Sequence, residues 1–429
     1  MSANRWTSIE LFTGGGGLAL GMSEAGFEHL LAVENHPRAC ASLLLNKAVP
    51  ADAGHLPLGR WPLKACGIQE VDFSHWHGEV DVIAGGVPCQ PWSIGGSSKR
   101  DAATDFDRMS EKIGDERNLW PELFKVIQKT RPKAVIAENV AGLMRPSFAP
   151  YFEYILRELR APFEKRVSGE EWYDHDKRLQ DALRRKNSDP TERYVVKAVL
   201  LNAADYGVPQ YRKRVFVVAY RADLGLEEWA APDPTHSEAA LLHDQATGAY
   251  WERHNIKRRR GFGIEAAIED QRQPWFTVRD AISGYSNGGK PLPEPKLNRE
   301  ETPGFLHHVG WPGARVYRGH QPSDPDRPSK TVKAGVHGVA GGEGAIKFPG
   351  KPVRYLTVRE VARLMTFPDD WRLDGSRGPQ MRQLGNAVPV RLAEAVAKSV
   401  ADDLAKAAGT AAEVSLLSET KGKTRSRKK

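Results

Sequence analysis

Cysteine is scarce in this chain, and so are long hydrophobic runs. The 429 residues include three cysteines, and no two of them form a Cys-x-x-Cys pair. This usage argues against a disulfide framework and against a cysteine-based zinc site. No stretch approaches the roughly 18 consecutive apolar residues of a transmembrane helix, and the first residues lack the layout of a secretory leader. We therefore expect a cytoplasmic protein with no membrane partner.

Charge is only mildly unbalanced. Lysine and arginine number 62 against 54 acidic residues, which gives a formal net charge of +8. Such an excess is compatible with a polyanionic partner, although many proteins share it. His307, His308 and His320 suggest a metal site, but they lack acidic or cysteine partners at ligand spacing. We expect no bound metal.

A glycine-rich loop follows the first predicted strand. Residues 8–12 form a short, mostly apolar run, and the glycines from Gly14 to Gly17 come shortly after it. A helix over residues 18–25 and a second strand over residues 30–33 complete a strand–loop–helix–strand unit. Such a unit implies two parallel strands joined by a right-handed crossover. The sequence thus predicts an α/β fold.

Three side chains capable of chemistry each follow a different predicted strand. Glu34, Cys89 and Glu138 all stand just beyond short apolar runs. In an open α/β sheet, ligands and catalytic groups gather at the carboxyl ends of the parallel strands. We therefore expect these three side chains to share one cleft.

The glycine loop alone leaves two cofactor classes open. Gly14-x-Gly16-x-x-Ala19 matches the dinucleotide fingerprint, and Glu34 stands where that fingerprint places a ribose-binding acid. A nicotinamide or flavin enzyme and an S-adenosylmethionine-dependent enzyme both fit, because both kinds of cofactor contain an adenosine ribose. A strand-to-helix turn that binds no ligand is the third interpretation.

Cys89 separates these alternatives better than the glycines do. It lies in the loop Gly85-Gly86-Val87-Pro88-Cys89-Gln90. A free thiol has a pKa of about 8.5 and needs a helix N-terminus or nearby positive charge to react as a thiolate. Most lone cysteines pack as small hydrophobic side chains, and that interpretation suits Cys40 and Cys66. The Gly-Pro loop behind a strand favours a nucleophile at Cys89.

Taken together, seven sequence blocks resemble those of the DNA (cytosine-5)-methyltransferases, in their bacterial modification form. They occur in the order of that family: LFTGGGG at 11–17, VEN at 33–35, GGVPCQPWS at 85–93, ENV at 138–140, QYRKR at 210–214, LTVRE at 356–360 and QLGNAVP at 383–389. A nicotinamide enzyme has no use for the cysteine, Glu-Asn and arginine blocks. The resemblance therefore implies S-adenosylmethionine as the methyl donor.

The resemblance implies a role for each candidate residue. Cys89 would add to carbon 6 of cytosine, and Glu138 would protonate ring nitrogen 3. Arg212 would hold the base carbonyl, while Pro88 and Arg214 would orient the catalytic loop. The target base would have to flip out of the duplex. Phe12 would stack on the adenine of the cofactor, and Gly14 and Gly16 would contact the cofactor through their amides. The other residues expected to contact the cofactor are Gly17, Glu34, Asn35, Ile68, Gly86, Asn386, Ala387 and Val388.

Two positions depart from the family pattern. The family places an acid after its third strand to bind the adenine amine, and the stretch Cys66-Gly67-Ile68 has none there. Asp52 and Asp72 are the remaining candidates for that contact. The acid ahead of the cofactor loop is Glu10, a conservative change.

The expected fold class is α/β: a Rossmann-like S-adenosylmethionine-dependent methyltransferase sheet interrupted by a smaller, loop-rich target-recognition domain. Residues 222–350 are rich in glycine, proline and histidine and lack periodic helices, so we assign the inserted domain to them. Residues 1–221 and 351–408 would form the catalytic domain, with the last helix ending at Gly409. Residues 409–429 would be a disordered basic tail. The charged segment 163–192 suggests a surface insertion without a function.

The resemblance implies double-stranded DNA as the partner, together with a companion restriction endonuclease. We expect the enzyme itself to be a monomer. Methylation of RNA by the same chemistry is one alternative, and a catalytically silent DNA-binding module is another. The basic middle region argues for DNA, because reading a duplex sequence takes a large groove-facing module. The joint presence of Cys89, Glu138 and Arg212 argues against a silent module. Expected phosphate contacts are Arg258, Arg259, Arg260, Arg315, Arg318 and Lys330.

Overall fold

An eight-stranded sheet forms the centre of the molecule. The computed structural model describes residues 6–53, 59–88, 118–262, 270–316, 321–334 and 344–426. The strands of the sheet are β1 Thr7–Leu11, β2 Glu28–Val33, β3 Ala48–Pro50, β4 Trp61–Lys64, β5 Val82–Gly86, β6 Ala134–Val140, β7 Tyr194–Asn202 and β8 Lys213–Arg221. Their order is β3-β4-β2-β1-β5-β6-β8-β7. The first six are parallel, and β8 runs antiparallel to both of its neighbours.

Helices cover both faces of this sheet, which is why its central strands are apolar on both sides. The helices are α1 Gly17–Glu24, α2 Pro37–Asn46, α3 Trp120–Thr130, α4 Ala149–Arg160, α5 Trp172–Arg184, α6 Glu238–Thr247, α7 Ala249–Arg253, α8 Val278–Ser283, α9 Val358–Leu364, α10 Arg377–Asn386 and α11 Val390–Ser426. One face packs on α3, α4 and α5, and the other packs on α1 and α11. The predicted α/β class is confirmed. No helix in the described ranges is both long and apolar enough to cross a membrane.

The two ends of the chain meet in the pairing of α1 with α11. Gly21 of α1 lies directly against the backbone of α11, where an added Cβ would come within 2.4 Å of the Ala393 Cβ. The apolar side of α11 includes Leu392, Val396 and Leu404, all of them buried. The last helix therefore completes the core that the first helix begins.

The predicted end of α11 at Gly409 is wrong, while the tail assigned to residues 409–429 stays a prediction. The backbone stays helical from Val390 to Ser426. A glycine inside a helix costs only about 1 kcal/mol relative to alanine, and good helix formers follow Gly409 in the sequence. One glycine was too weak a reason to end the helix.

The middle region, 222–350, differs from its prediction in its secondary structure. It contains α6, α7 and α8, although the sequence suggested neither helices nor their periodicity. Its strands are only two residues long: β9 His236–Ser237, β10 Gln273–Pro274 and β11 Ala345–Ile346, which pairs with β12 Arg354–Tyr355. These helices have six, ten or five residues, too few turns to establish a periodic pattern. The boundaries assigned to this domain stay a prediction.

The segment 163–192 is more than a surface insertion. Its helix α5 packs on α4, and Trp172 and Leu179 are buried in the main core, with Ala182 also buried. Apart from Asp176, which is buried and paired with Arg157, the charged residues of α5 lie on its other sides, which explains why the composition indicates an exposed element. Amphipathic spacing, rather than mean polarity, identifies its buried face.

Candidate active site

The carboxyl ends of four neighbouring parallel strands lie at one edge of the sheet, the edge at which the sequence predicts a cleft. Register pairs Leu11 of β1 with Val33 of β2 on one side and with Gly85 of β5 on the other. Gly86 is in turn paired with Glu138 of β6. Glu138 lies inside β6, two residues before its end, whereas the sequence placed it just past the strand. Cys89 lies outside the described residues.

A buried ion pair occupies the β6 side of the cleft. The Arg214 Nε lies 2.8 Å from the Glu138 Oε1, and both side chains are almost fully buried. Burial raises the pKa of Glu138 above its ordinary value, while the positive charges of Arg214 and Arg212 act in the opposite direction. A carboxyl in this setting is suited to hold and deliver a proton.

Arg212 does not reach the cleft as predicted. Its guanidinium donates to the main-chain oxygens of Val332, Gly385 and Ala387. The side chain has no exposed surface, and burial lowers its pKa well below the ordinary value of arginine. The expectation that Arg212 holds a base carbonyl is therefore wrong for this structure, because its donors already serve the protein backbone. Arg214 is the arginine that faces Glu138.

Asn139 is a site residue that sequence reasoning left without a role. Its side-chain amide donates to the Val87 carbonyl at 3.1 Å, and it is buried. It thereby fixes the chain just ahead of Pro88, which is half-buried. The placement of Asn139 directly after the catalytic acid in the sequence was the available indication.

Glu34 anchors the other side of the cleft. One carboxylate oxygen accepts from the amides of Asn35 and His36 at 3.0 and 2.7 Å, and the other accepts from the Gly14 amide at 2.6 Å. Glu34 therefore joins the glycine loop to the end of β2. Its three bonds also mean that a ligand hydroxyl has to compete with these amides.

The glycine loop is used mainly for close packing. A Cβ added to Gly16 would lie 2.9 Å from the Trp371 ring, and one added to Gly17 would lie 2.1 Å from the Val388 carbonyl oxygen. The Gly16 amide donates to the Thr13 carbonyl, and the Gly14 amide donates to Glu34. Both amides thus have partners within the protein, and their contact with a cofactor stays a prediction. Phe12, half-buried with a φ of 56°, remains at the mouth of the cleft.

The closing block supplies one exposed and two buried residues. Asn386, the last residue of α10, is exposed, while Ala387 and Val388 are buried against the glycine loop. Gln383 was not predicted as a site residue. It lies against Gly15, and its Oε1 accepts from Ser42 at 2.6 Å.

Three carboxylates lie in the stretches where the sequence predicts the contact to adenine. Ile68, buried, opens a short 3₁₀ turn after β4. Asp72 accepts from both the amide and the hydroxyl of Ser74, and Asp52 is exposed after the edge strand β3. Glu70 accepts from the Gly67 amide at 2.6 Å, so its carboxylate occupies the space that a side chain at Gly67 would fill.

The histidine pair and one of the basic residues have structural partners. His308 bonds to Thr357 and to the Pro293 carbonyl, and His307 accepts from the Leu373 amide. Across the described ranges, no group of three metal-ligating side chains occurs. Arg259, predicted to contact phosphate, is paired with Asp324 and Asp326; of the remaining predicted phosphate contacts, Arg318 lies outside the described residues and the others are exposed: Arg258, Arg260, Arg315 and Lys330.

A mostly parallel sheet with a glycine loop and an acid after its second strand is typical of α/β enzymes that bind a nucleoside-containing cofactor at the carboxyl ends of their strands. The chain belongs to the C-5 cytosine-specific DNA methylases, whose family model matches residues 6–161 and 174–402. It is a DNA cytosine methyltransferase, and the nicotinamide interpretation is excluded.

Curated relatives agree along nearly the whole chain. The Type II methyltransferase M.NgoMIV of Neisseria gonorrhoeae is 29% identical over 412 residues, which cover 94% of this chain and 99% of that protein. The Type II methyltransferase M1.HphI of Haemophilus parahaemolyticus is 30% identical over 394 residues, which cover 92% and 86%. These relatives support the bacterial modification type.

Two solved structures share the fold. The S. pombe Dnmt2 methyltransferase superposes with a TM-score of 0.51 at 15% identity and covers 94% of this chain and 99% of its own. A DNA modification methyltransferase encoded within an E. coli prophage superposes with a TM-score of 0.50 at 18% identity and covers 93% and 99%. At these identities the likeness establishes the fold alone.

Proposed function

We propose that this enzyme transfers a methyl group from S-adenosylmethionine to carbon 5 of a flipped-out cytosine in a specific duplex DNA sequence, through a covalent Cys89 adduct. The observation that carries the proposal is the placement of Glu138. Glu138 of β6, with its buried carboxyl, is paired with Gly86 of β5. Cys89 follows Gly86 by three residues in the chain. Activation of a pyrimidine ring requires both an acid and a thiol, and the short chain distance from Gly86 to Cys89 supports their sharing one pocket.

Each step assigns one bond to one residue. Carbon 5 of cytosine is a poor nucleophile, and addition of the Cys89 thiolate to carbon 6 turns it into an enamine carbon. The Glu138 carboxyl donates its proton to ring nitrogen 3, which neutralises the charge that the addition creates. Carbon 5 then takes the methyl group from the sulfonium, which S-adenosylmethionine supplies when bound. Loss of the carbon 5 proton to water expels the thiolate, and return of the nitrogen 3 proton to Glu138 restores the neutral ring and the acid.

We assign to Arg214 the role that the resemblance implies for Arg212. Its guanidinium lies beside Glu138, and its side chain keeps a small exposed fraction at the cleft. From there it would hold the base carbonyl and stabilise the charge that develops on the ring. The chemistry requires the target base to leave the stack, since a stacked cytosine exposes neither face to Cys89.

The cofactor would occupy the β1–β2 side of the cleft. Glu34 would exchange its amide bonds for the ribose hydroxyls, and Phe12 would stack on adenine. Phe12 is half-buried and packs against the core cluster that contains Ile68, which supports this placement. Asn386, Ala387 and Val388 would border the methionine end.

The middle region, 222–350, would be the target-recognition domain, and 1–221 with 351–408 the catalytic domain. Arg258, Arg260 and Arg315 of the middle region are exposed, which supports contacts between this region and DNA phosphates. Such contacts position a protein on DNA without specifying the sequence. A Type II context would add a companion restriction endonuclease as a partner.

A transfer assay tests this function. Full-length enzyme is incubated with tritiated S-adenosylmethionine and either unmethylated plasmid DNA or tRNA, beside Cys89→Ser and, as the matched thiol control, Cys66→Ser. We expect label in DNA for the wild type and Cys66→Ser and none for Cys89→Ser. Label in tRNA alone would overturn the duplex substrate, and label with Cys89→Ser would overturn the covalent mechanism.

A further inference from the structure

Arg212 ties together stretches of chain that are distant in sequence. Its guanidinium donates to the carbonyl oxygens of Val332, Gly385 and Ala387 at 2.8, 2.7 and 2.9 Å. The side chain is completely buried, and its Nε has no hydrogen-bond partner among the described residues. Such a side chain is costly to bury, so its position calls for an explanation other than stability.

The segments that Arg212 holds are packed backbone against backbone. We call residues 385–388 the closing loop. A Cβ added to Gly385 would lie 2.5 Å from the Ala334 amide nitrogen, and one added to Gly17 would lie 2.1 Å from the Val388 carbonyl. The closing loop is thus pressed between the 332–334 segment and the glycine loop. Because close-packed backbone transmits small shifts, movement of the glycine loop has to move its neighbours.

The other side of Arg212 leads to the proposed base pocket. Arg212 immediately precedes β8, whose second residue, Arg214, lies 2.8 Å from Glu138. Gln210 reinforces the same contact, since its Oε1 accepts from the Val332 amide at 3.0 Å. The stretch 210–214 therefore touches the closing loop through one arginine and the acid through the next.

We propose that Arg212 is a positioning residue that fixes the closing loop against the cofactor cleft and so links cofactor binding to the placement of the Glu138–Arg214 pair. The inference rests on the proposed function, because it assumes that S-adenosylmethionine binds beside the glycine loop. Lysine at this position would keep the charge, but it lacks the planar fork that reaches three carbonyls at once.

The test compares Arg212→Lys with Arg363→Lys. Arg363 is also buried and also bonds to main-chain oxygens, those of Ala281, Ile282 and Lys290, none of which belongs to the closing loop. For each full-length variant, the melting temperature and the affinity for S-adenosylhomocysteine without DNA are measured, the latter by calorimetry. We expect both variants to melt earlier, but only Arg212→Lys to bind at least about tenfold more weakly.

Each outcome decides between the two hypotheses. Equal weakening in both variants, or unchanged binding by folded Arg212→Lys, would overturn the positioning role while the wild type still binds. A wild type that neither binds S-adenosylhomocysteine nor transfers a methyl group would overturn the proposed function instead.

A second measurement uses the wild type, in case Arg212→Lys does not fold. We expect bound S-adenosylhomocysteine to slow amide exchange at 212–214 and 331–334 as well as at the closing loop. Protection confined to the glycine loop and the closing loop would contradict the link.

Discussion

Gly21→Ala tests whether the two ends of the chain meet as described. The methyl group would point from α1 into the backbone of α11, 2.4 Å from the Ala393 Cβ and 2.7 Å from both the Glu394 amide nitrogen and the Val390 carbonyl oxygen. Carbon atoms in contact normally lie about 3.5–4.0 Å apart. The two helices would have to separate by roughly 1 Å, and no flexible side chain is there to yield.

The magnitude follows from two opposing effects. Overpacking of a close-packed core typically costs about 1–3 kcal/mol, and the tight backbone contacts favour the upper end. Replacing glycine by alanine in a helix returns about 1 kcal/mol. We expect a net loss of about 2 kcal/mol in the free energy of unfolding, measured by urea denaturation followed by circular dichroism.

Two further variants isolate the cause. Gly409→Ala places the same methyl group on α11 where nothing lies within 4 Å, so it should be neutral or stabilise by up to about 1 kcal/mol. Ala393→Gly removes the nearest colliding atom and should recover part of the loss in the double variant with Gly21→Ala. A Gly21→Ala protein as stable as the wild type would refute the packing of α1 on α11.

Further predictions concern the acid and the basic surface. Glu138→Gln should lower kcat by about 10²–10⁴-fold while the protein stays folded, as circular dichroism would verify. Because burial raises the pKa of Glu138, the wild-type rate should fall as pH rises through that raised pKa, and this limb should be missing from the residual activity of Glu138→Gln. Arg258→Ala should reduce the salt dependence of duplex binding by about one unit of slope without changing stability. Arg259→Ala should instead destabilise the protein by about 1–3 kcal/mol, since it leaves buried Asp326 short of a partner; an equal stability for the two variants would contradict the assignment.

The stability linkage of Glu138 has a definite sign. Its folded-state pKa lies above its unfolded value, so the folded protein binds this proton more tightly. The contribution is fully present below the unfolded pKa and is lost as pH rises through the folded pKa. Glu138→Gln should remove that part of the pH dependence, which denaturation at several pH values would show.

Much of the fold was readable because parallel strands buried on both faces give continuous apolar runs. This pattern predicts the strand–loop–helix unit around Gly14 and the acid after β2 correctly, whereas it places Glu138 beyond β6 instead of inside it. A capping box could have revealed the short helix α8, since Thr277 and Asp280 open it.

The division of labour between Arg212 and Arg214 was beyond the sequence. Residues two apart in an extended chain point to the same side, so local pattern treats them alike. Arg212 is the one that donates hydrogen bonds to backbone carbonyls, because Val332 and the closing loop, more than a hundred residues away in the chain, lie against it. A contact of that range leaves no trace in local spacing.

The most direct test of the account is covalent trapping on DNA. Duplex copied from unmethylated genomic DNA with 5-fluorocytosine in place of cytosine is incubated with the enzyme and S-adenosylmethionine, then denatured and resolved by size. Fluorine cannot leave carbon 5 as a proton does, so the Cys89 thioether should persist. We predict a denaturation-resistant protein–DNA complex for the wild type and none for Cys89→Ser. Methyl transfer without any trapped wild-type complex, or a complex that survives Cys89→Ser, would contradict the mechanism.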